Sequence, residues 1–518
     1  MGSVLFAKRV GWALLLLGAG LRAQAQHEAD TWYFGEKAGF SFRSGAPRVL
    51  LDGQMTTAYA SAVLSDPATG QLRLYSNGEQ VWGRDHRVMP NGGALRGSAV
   101  ASQGALLVPV PGDTTRYYLF TLRAGTKTVG PPVLASAYAA QLAYSLVDLR
   151  LNNGLGEVVA NAKNRVLATG LTEKLTAVRH ANGRDYWVIS HKWLSHAFLV
   201  FAVTAAGVGP PVAYAVGPAQ PTDTVSALFQ EQVAGALRAS PDGHRLAYGS
   251  PTNAGAAPAP FGLYNFDAAT GAVSNFVNLG ALRDAYSPCF SSDNTKLYIP
   301  NFSRTPDGNH YNTISQYDLR AGDGPAVAAS GQSIVFDNPA TNISAGMSNN
   351  AIYQLQNGPD GRMYGASGYQ SRGPDEQPGD DRNVFFVIGR PNARGFACEV
   401  QYQRFDFGGR FGNPGLPNFM QHYFNGREPL PVDTACDPTR AVVFPNPATD
   451  AFRVRLSGPC FQSYTLILYD AVGRKVLTQV VPKEAGEAPV SVAALAAGWY
   501  VVELRFAQQT VIRKLVKI

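Results

Sequence analysis

The chain has 518 residues and a formal net charge of +7, with 54 glycines, 34 prolines and 16% charged residues. That composition is too apolar and aromatic for disorder, and turn formers recur along its whole length. The excess charge lies at the ends: Lys8, Arg9 and Arg22 stand in the first 25 residues without an acid, and ten Lys/Arg face six Asp/Glu from Asp437 onward. Residues 26–436 are therefore neutral and offer no electrostatic footprint for nucleic acid or an anionic membrane.

Residues 1–25 read as a secretory signal peptide. Lys8 and Arg9 form the positive leader, "VGWALLLLGAGL" the apolar run, and Ala23-Gln24-Ala25 the small-x-small pattern, which sets the cut between Ala25 and Gln26. The run is well short of the ~20 apolar residues of a spanning helix. No later stretch is long and apolar enough to make a transmembrane segment. An exported chain follows, long enough for one large domain and one small one.

Between Gln26 and Phe424 almost nothing reads as helix. "SAVLSDPATGQLRLYSNG" is a hairpin turning at Asp66–Gly70, and "LTAVRHANGRDYWVISH" is another, with Asn182-Gly183 as the expected positive-φ turn. A frame then repeats. "RASPDGHRLAYGS", "CFSSDNTKLYIPN" and "QNGPDGRMYGAS" each give a polar turn and then a strand around Leu246, Leu297 or Met363. "LYNFDAATGAVSN" and "ISQYDLRAGDGPAV" interleave as strands ending in Asp-led turns. Recurrence every 50–70 residues or so without helices predicts an all-β fold, a β-propeller over 26–424 of four-stranded blades. The spacing suggests seven blades, with six or eight as alternatives and a pair of β-sandwiches as the competing fold.

"NGREPLPVDTACDPTR" (425–440) reads as a linker, and 441–518 as a small antiparallel β-sandwich. Its strands follow the Phe444–Ala448 turn, flank Ala471-Val472-Gly473-Arg474, and run through Tyr500–Phe506 and Val511–Val516.

Two resemblances attach to these segments. "DTWYFGEKAGFSF", "SDPATGQLRLYSNGEQVWGRDHRVMPNG", "TEKLTAVRHANGRDYWVISH", "RASPDG" and "GLPNFMQHYF" resemble, in order, a family of secreted bacterial propeller proteins. Many of its members occur in gliding Gram-negative bacteria. That resemblance implies architecture and no chemistry. The tail resembles the type A C-terminal sorting domain of the type IX secretion system, through Pro445-Asn446-Pro447, "LYDAVGRKV" with Gly473, "LAAGWYVVEL" with Gly498 and Tyr500, and "RKLVKI" with Lys514. The implied partners of 441–518 are the outer-membrane translocon and a surface sortase that cuts in the linker. The body is then left at the cell surface or released.

Closing the ring calls for strands from both chain ends, which makes "TWYFG" and "LPNFMQHYF" partners, with Trp32, Tyr33, Phe34, Phe419, Tyr423 and Phe424 as closure core rather than a sugar-stacking platform. Four cysteines in an exported chain suggest disulfides, expected as Cys436–Cys460 and Cys289–Cys398. His180 and His191 flank one hairpin near Glu173, Asp185 and Lys192. A cross-strand pair His180–Asp185 accounts for that cluster without acid–base chemistry. No GxSxG, HExxH or P-loop pattern occurs. The acidic loops Asp307–Asn312 and Pro374–Asn383 lack the ordered ligand spacing of a calcium loop, so no cofactor is expected, with calcium as the one alternative. The expectation is a non-catalytic binding or adhesion module for glycan, protein or envelope component. Its competitor is a secreted lactonase-like or glycan-cleaving hydrolase with carboxylates meeting at the central channel.

Overall fold

The computed structural model describes residues 26–125, 139–218, 233–249, 260–282, 285–304, 310–335, 352–367, 383–429, 437–457, 463–482, 489–506 and 509–518. Ala25, Cys436 and Cys460 lie outside the described residues, and with them the signal peptide and one predicted disulfide.

Short runs of β-branched and aromatic residues between Gly, Asp and Asn turns form antiparallel strands throughout. Two three-stranded sheets come first, Thr31–Phe34 with Ala38–Ser41 and Arg48–Leu50, then Ala62–Ser65 with Leu72–Ser76 and Val81–Gly83. An eight-stranded sheet covers 105–215, and four-stranded sheets follow over 237–281, 289–335 and 352–404. The large sheet is two units joined by one strand. Arg165–Arg179 pairs with Ala140–Asp148 up to Leu171 and with Tyr186–Lys192 from Leu171 onward, with a register shift before Leu175. Register shifts around Leu171 let the two halves part.

Neighbouring units share apolar cores, and those cores run round a ring. One joins the 62–83 and 105–158 units, the next 178–200 and 237–273, then 247–279 and 290–327, then 289–334 and 352–400. The largest closes the circle: Trp32, Phe34 and Phe40 pack on Tyr364, Phe385 and Phe407 on one side, while Tyr33 faces Tyr75 on the other. The body is a β-propeller.

The repeated frame is one structural device. Ser240 N–H donates to the Arg245 carbonyl, Ser291 N–H to Lys296 and Gly358 N–H to Arg362, at 2.7–2.9 Å. Each of these turns joins the first and second strands of its sheet, and Leu246, Leu297 and Met363 are fully buried on the second. The Asp267 turn, by contrast, joins the third strand to the fourth.

Both chain ends close the ring as expected. Trp32 lies 5.9 Å from Phe419 between ring centroids, and all six predicted closure aromatics are buried. The pairing is not a ladder, however. Gly415–Phe424 forms no strand, and its backbone is held piecewise: Gly415 N–H to Ala58, Leu416 N–H to the Gln354 side chain, and Asn418 N–H to Ser61, at 2.8–3.0 Å. A Cβ on Gly415 would meet the Tyr59 carbonyl at 2.2 Å, so only glycine lets the segment enter.

The tail is a sandwich of a three-stranded sheet (Asp437–Phe444, Ala451–Ser457, Val490–Ser491) and a four-stranded one. The latter orders Lys475–Val481, Tyr464–Asp470, Gly498–Arg505 and Thr510–Lys517 side by side. Phe452, Val454, Leu466, Leu468, Val502, Leu504 and Leu515 fill the space between the sheets.

Candidate functional site

The first strands of the propeller units face its axis, and the axis is filled by side chains. Asn418 donates through Nδ2 to the carbonyls of Ala105 (3.3 Å) and Leu175 (3.1 Å) in two different units. Gln103 Oε1 accepts from Leu175 N–H and Leu237 N–H at 2.9 and 2.8 Å. Arg238 donates to Gln356 Oε1 at 3.0 Å and to the Leu355 carbonyl at 3.2 Å. All of these side chains are buried. Burial pushes the Arg238 guanidinium below its ordinary range, and its hydrogen-bond partners among the described residues are neutral oxygens. Uncharged acceptors spread over several units thus tie the ring together across its middle.

At the leading ends of the same strands lies the mouth of the hub, where buried polar side chains sit beneath two half-buried tyrosines. Glu173 Oε2 accepts from both the backbone N–H and the hydroxyl of Ser102, each at 2.8 Å. The Ser102 hydroxyl also lies 2.6 Å from that of Tyr286 and accepts from Gly235 N–H. Tyr286 stacks on Tyr59 at 5.7 Å, and Tyr353 meets both rings edge-on at 6.1 and 5.6 Å. Tyr286 is buried, whereas Tyr59 and Tyr353 are half-buried. Burial raises the hydroxyls of Tyr59 and Tyr286 well above the ordinary phenol range. Both are therefore neutral donors at any physiological pH.

Next to Glu173, Lys174 is wholly buried, donates to the Ala234 carbonyl and lies 4.7 Å above the Tyr248 ring. Desolvation pushes its ammonium down to about 7. His191 is buried beside it and against Phe198 and Tyr248, and burial together with the Lys174 charge lowers it to about 3.

His180 and His191 do not come together. His180 N–H bonds the Asp185 carbonyl at 2.8 Å at the hairpin tip, as the cross-strand reading requires, while His191 sits at the far end of the same hairpin. Asp185 bonds Asn182 Nδ2 and Arg184 there. Only Gly183 has positive φ in this turn, at 72°; the Asn182 side chain instead accepts from the N–H groups of Arg184 and Asp185. The tip is thus an Asn-capped turn rather than the expected two-residue one.

The predicted Cys289–Cys398 bridge is not formed: both thiols are free and buried, and burial pushes each up to about 11. Tyr298, the cross-strand partner of Cys289, carries its hydroxyl to the Pro391 carbonyl and to the neighbourhood of Cys398. An aromatic side chain thus occupies the span a disulfide would bridge. Residues 307–309 and 374–382 of the two acidic loops lie outside the described residues. Among the described residues no three His, Cys, Asp or Glu side chains gather as a metal site.

Sequence reasoning missed the hub and the mouth. Ser102 and Gln103 come from one segment and Arg238, Asn418 and the three tyrosines from others far along the chain. Although Arg238 and Asn418 lie in "RASPDG" and "GLPNFMQHYF", nothing in those motifs marks them as meeting.

In the tail, the predicted motif residues converge. Asn446 clasps the last strand, donating to the Lys514 carbonyl and accepting from Val516 N–H at 2.8 and 2.9 Å, and Ala448 N–H donates to Val516. This is the work of the Pro445-Asn446-Pro447 turn. Gly473 (φ 82°) makes the tip between Tyr464–Asp470 and Lys475–Val481, Gly498 begins its strand, and Tyr500 donates to the Ala496 carbonyl at 2.7 Å. Gly473, Tyr500 and Lys514 line one cavity of about 460 Å³ together with Tyr469, Trp499 and Val501.

Residues 442–518 match the family model described as a secretion system C-terminal sorting domain. The tail is a sorting domain. It directs the chain across the outer membrane to the cell surface or extracellular space. No helix among the described residues is long and apolar enough to cross a membrane. No curated protein matches the chain.

Solved structures similar to it include the periplasmic gluconolactonase of Pseudomonas aeruginosa, at 16% identity over 82% of this chain and 94% of that one, with a TM-score of 0.36. The hydrazine synthase of Kuenenia stuttgartiensis is 11% identical over 68% and 96%, at 0.33. The exo-β-1,3-galactanase of Phanerochaete chrysosporium is 11% identical over 83% and 96%, at 0.30. At such identities and scores none of them carries an activity over.

Proposed function

We propose that the chain is an exported binding protein: a propeller that holds a ligand at its channel mouth, delivered by its tail to the translocon and then to a surface sortase. The observation that carries the reading is the mouth itself. Tyr59, Tyr286 and Tyr353 come from three units and meet around the Ser102–Glu173 pair. Behind them the axis is occupied by interlocked side chains of the protein. Half-buried tyrosines offer flat apolar faces with polar tips, which suits the C–H faces and hydroxyls of a sugar. A neutral body adds no charge selection, so the favoured ligand is an uncharged glycan.

The hydrolase reading keeps one observation in its favour, the Glu173–Ser102–Tyr286 chain of contacts. It needs a second carboxylate or a nucleophile at the same mouth. The test is a glycan array followed by titration of the best ligand. Tyr59→Ala and Tyr353→Ala should each weaken binding by about tenfold or more, the range of an aromatic anchor. Turnover of a lactone, ester or glycoside that disappears in Glu173→Gln would overturn the binding reading.

A further inference from the structure

The four-stranded sheet of the tail has an outer face that its own domain does not cover. Register puts Lys475, Tyr469, Val501 and Lys514 in one row across all four strands. Trp499 and Val516 stand opposite each other beside that row on one side, and Glu503 and Ile512 on the other. Trp499 is 63% exposed and Ile512 62%, which is unusual for large apolar side chains on a regular sheet. Trp499 and Val501 line the cavity together with Gly473 and Lys514.

Charge on this face is one-sided. Its carboxylate Glu503 is already engaged with Arg505 and the Tyr469 hydroxyl, and Asp470 at the adjoining hairpin tip pairs with Arg474. Lys475 and Lys514, at the two ends of the row, make no ion pair among the described residues. The outer edge of the last strand is meanwhile occupied, since Asn446 and Ala448 take its Lys514, Val516 and Ile518 backbone groups. A partner therefore cannot add a strand at that edge.

We infer that this face is where the export machinery grips the tail, and that its occupant is a protein surface with an apolar centre, seating Trp499, Val501 and Ile512, and carboxylates placed to meet Lys475 and Lys514. The inference rests on the tail's role as export signal. The aromatic centre supplies affinity, while the two cations fix orientation and exclude partners of the same sign.

The experiment uses the full chain in a bacterium carrying this export system, reading the ratio of surface-exposed to periplasmic protein. Trp499→Ser and the pair Lys475→Glu with Lys514→Glu should each lower that ratio about tenfold or more. Their melting temperatures should stay unchanged. Val442→Ser, an exposed residue on the opposite sheet, should export as the parent does. Normal export of the face variants, with deletion of 437–518 still trapping the chain, would overturn the face and leave the signal standing. Normal export of the deletion would remove both. Loss with Trp499→Ser but not with the charge reversals would overturn the acidic partner. If Trp499→Ser instead dissociated a dimer and left export intact, the occupant would be a second copy, and the inference would be wrong.

Discussion

The propeller axis and the outer face of the tail invert each other. On the axis, polar side chains such as Gln103, Arg238 and Asn418 are buried and hydrogen-bonded, whereas on the tail Trp499 and Ile512 face outward. Burying a polar group is costly unless its bonds are made, so the axis holds groups whose partners are fixed by the ring. Exposing an apolar group costs little in stability but invites association. The difference separates two uses of a misplaced side chain. On the axis it holds the fold together, and on the tail it is there to be touched.

The largest effect that tests this contrast lies at the ring closure. Trp32 has no exposure and packs on Phe40, Phe42, Tyr364 and Phe419. Trp32→Ala should cost about 3–5 kcal/mol by the usual cost of truncating a buried aromatic. Chemical denaturation of the propeller measures it. A loss under about 1 kcal/mol would mean that the ends do not hold the ring shut. Asn418→Ala comes next, because it takes the Asn418 amide from the Ala105 and Leu175 carbonyls and one partner from Gln103. About 1–3 kcal/mol is expected, the cost of stranding buried polar groups.

A smaller, pH-dependent effect should come from His191, which is buried, and His422, which is half-buried with its ring packed against Tyr186 and Tyr423; desolvation holds both down to about 3. The folded chain keeps each imidazole neutral while the unfolded chain protonates it near its ordinary value of about 6.5. The unfolded state thus binds the extra proton, and stability falls as pH drops from about 6.5 toward 3, by up to about 1.4 kcal/mol per pH unit for each histidine. Replacing His191 by Gln should flatten that slope between about pH 6 and 4. An unchanged slope would show that the folded state admits the charged ring. Lys174 works the same way at the alkaline end. It is held at about 7 against an ordinary 10.5, so its contribution improves as pH rises through that window.

What the sequence showed and what it hid divide along contact distance. The "SPDG" frame was legible because its bonds close within five residues, as from Ser240 to Arg245. The tail was legible because its glycines and its Pro-Asn-Pro turn sit at fixed offsets in short hairpins. The axis was not: the Gln103–Asn418 bond spans 315 residues, and its Gln, Asn and Arg side chains come from segments far apart in the chain. Closure by Gly415–Phe424 was legible as a pairing of chain ends through its aromatics. Its lack of strand structure was not, because its N–H groups bond side chains and neighbouring units instead of a ladder. The cysteines failed for a similar reason. Their number and the exported setting suggested a bridge, and nothing in the spacing revealed Tyr298 between them.

The smallest expected effect is the most discriminating. Trp499 is a large aromatic in a regular strand, and alternation puts it on the face opposite to Tyr500. Tyr500 does point inward, at 7% exposure, while Trp499 on the alternate face is left 63% exposed. Truncating it removes little buried surface and strands no hydrogen bond. Trp499→Ser should therefore change the stability of the purified chain by no more than about 0.5 kcal/mol, the range for surface substitutions. The matching change at Tyr500, to Ala, should cost several times more, because it opens the sandwich core and frees the Ala496 carbonyl. Differential scanning calorimetry on both variants separates them. Equal losses would place Trp499 in the fold of the tail, and the contrast between axis and face would fail there.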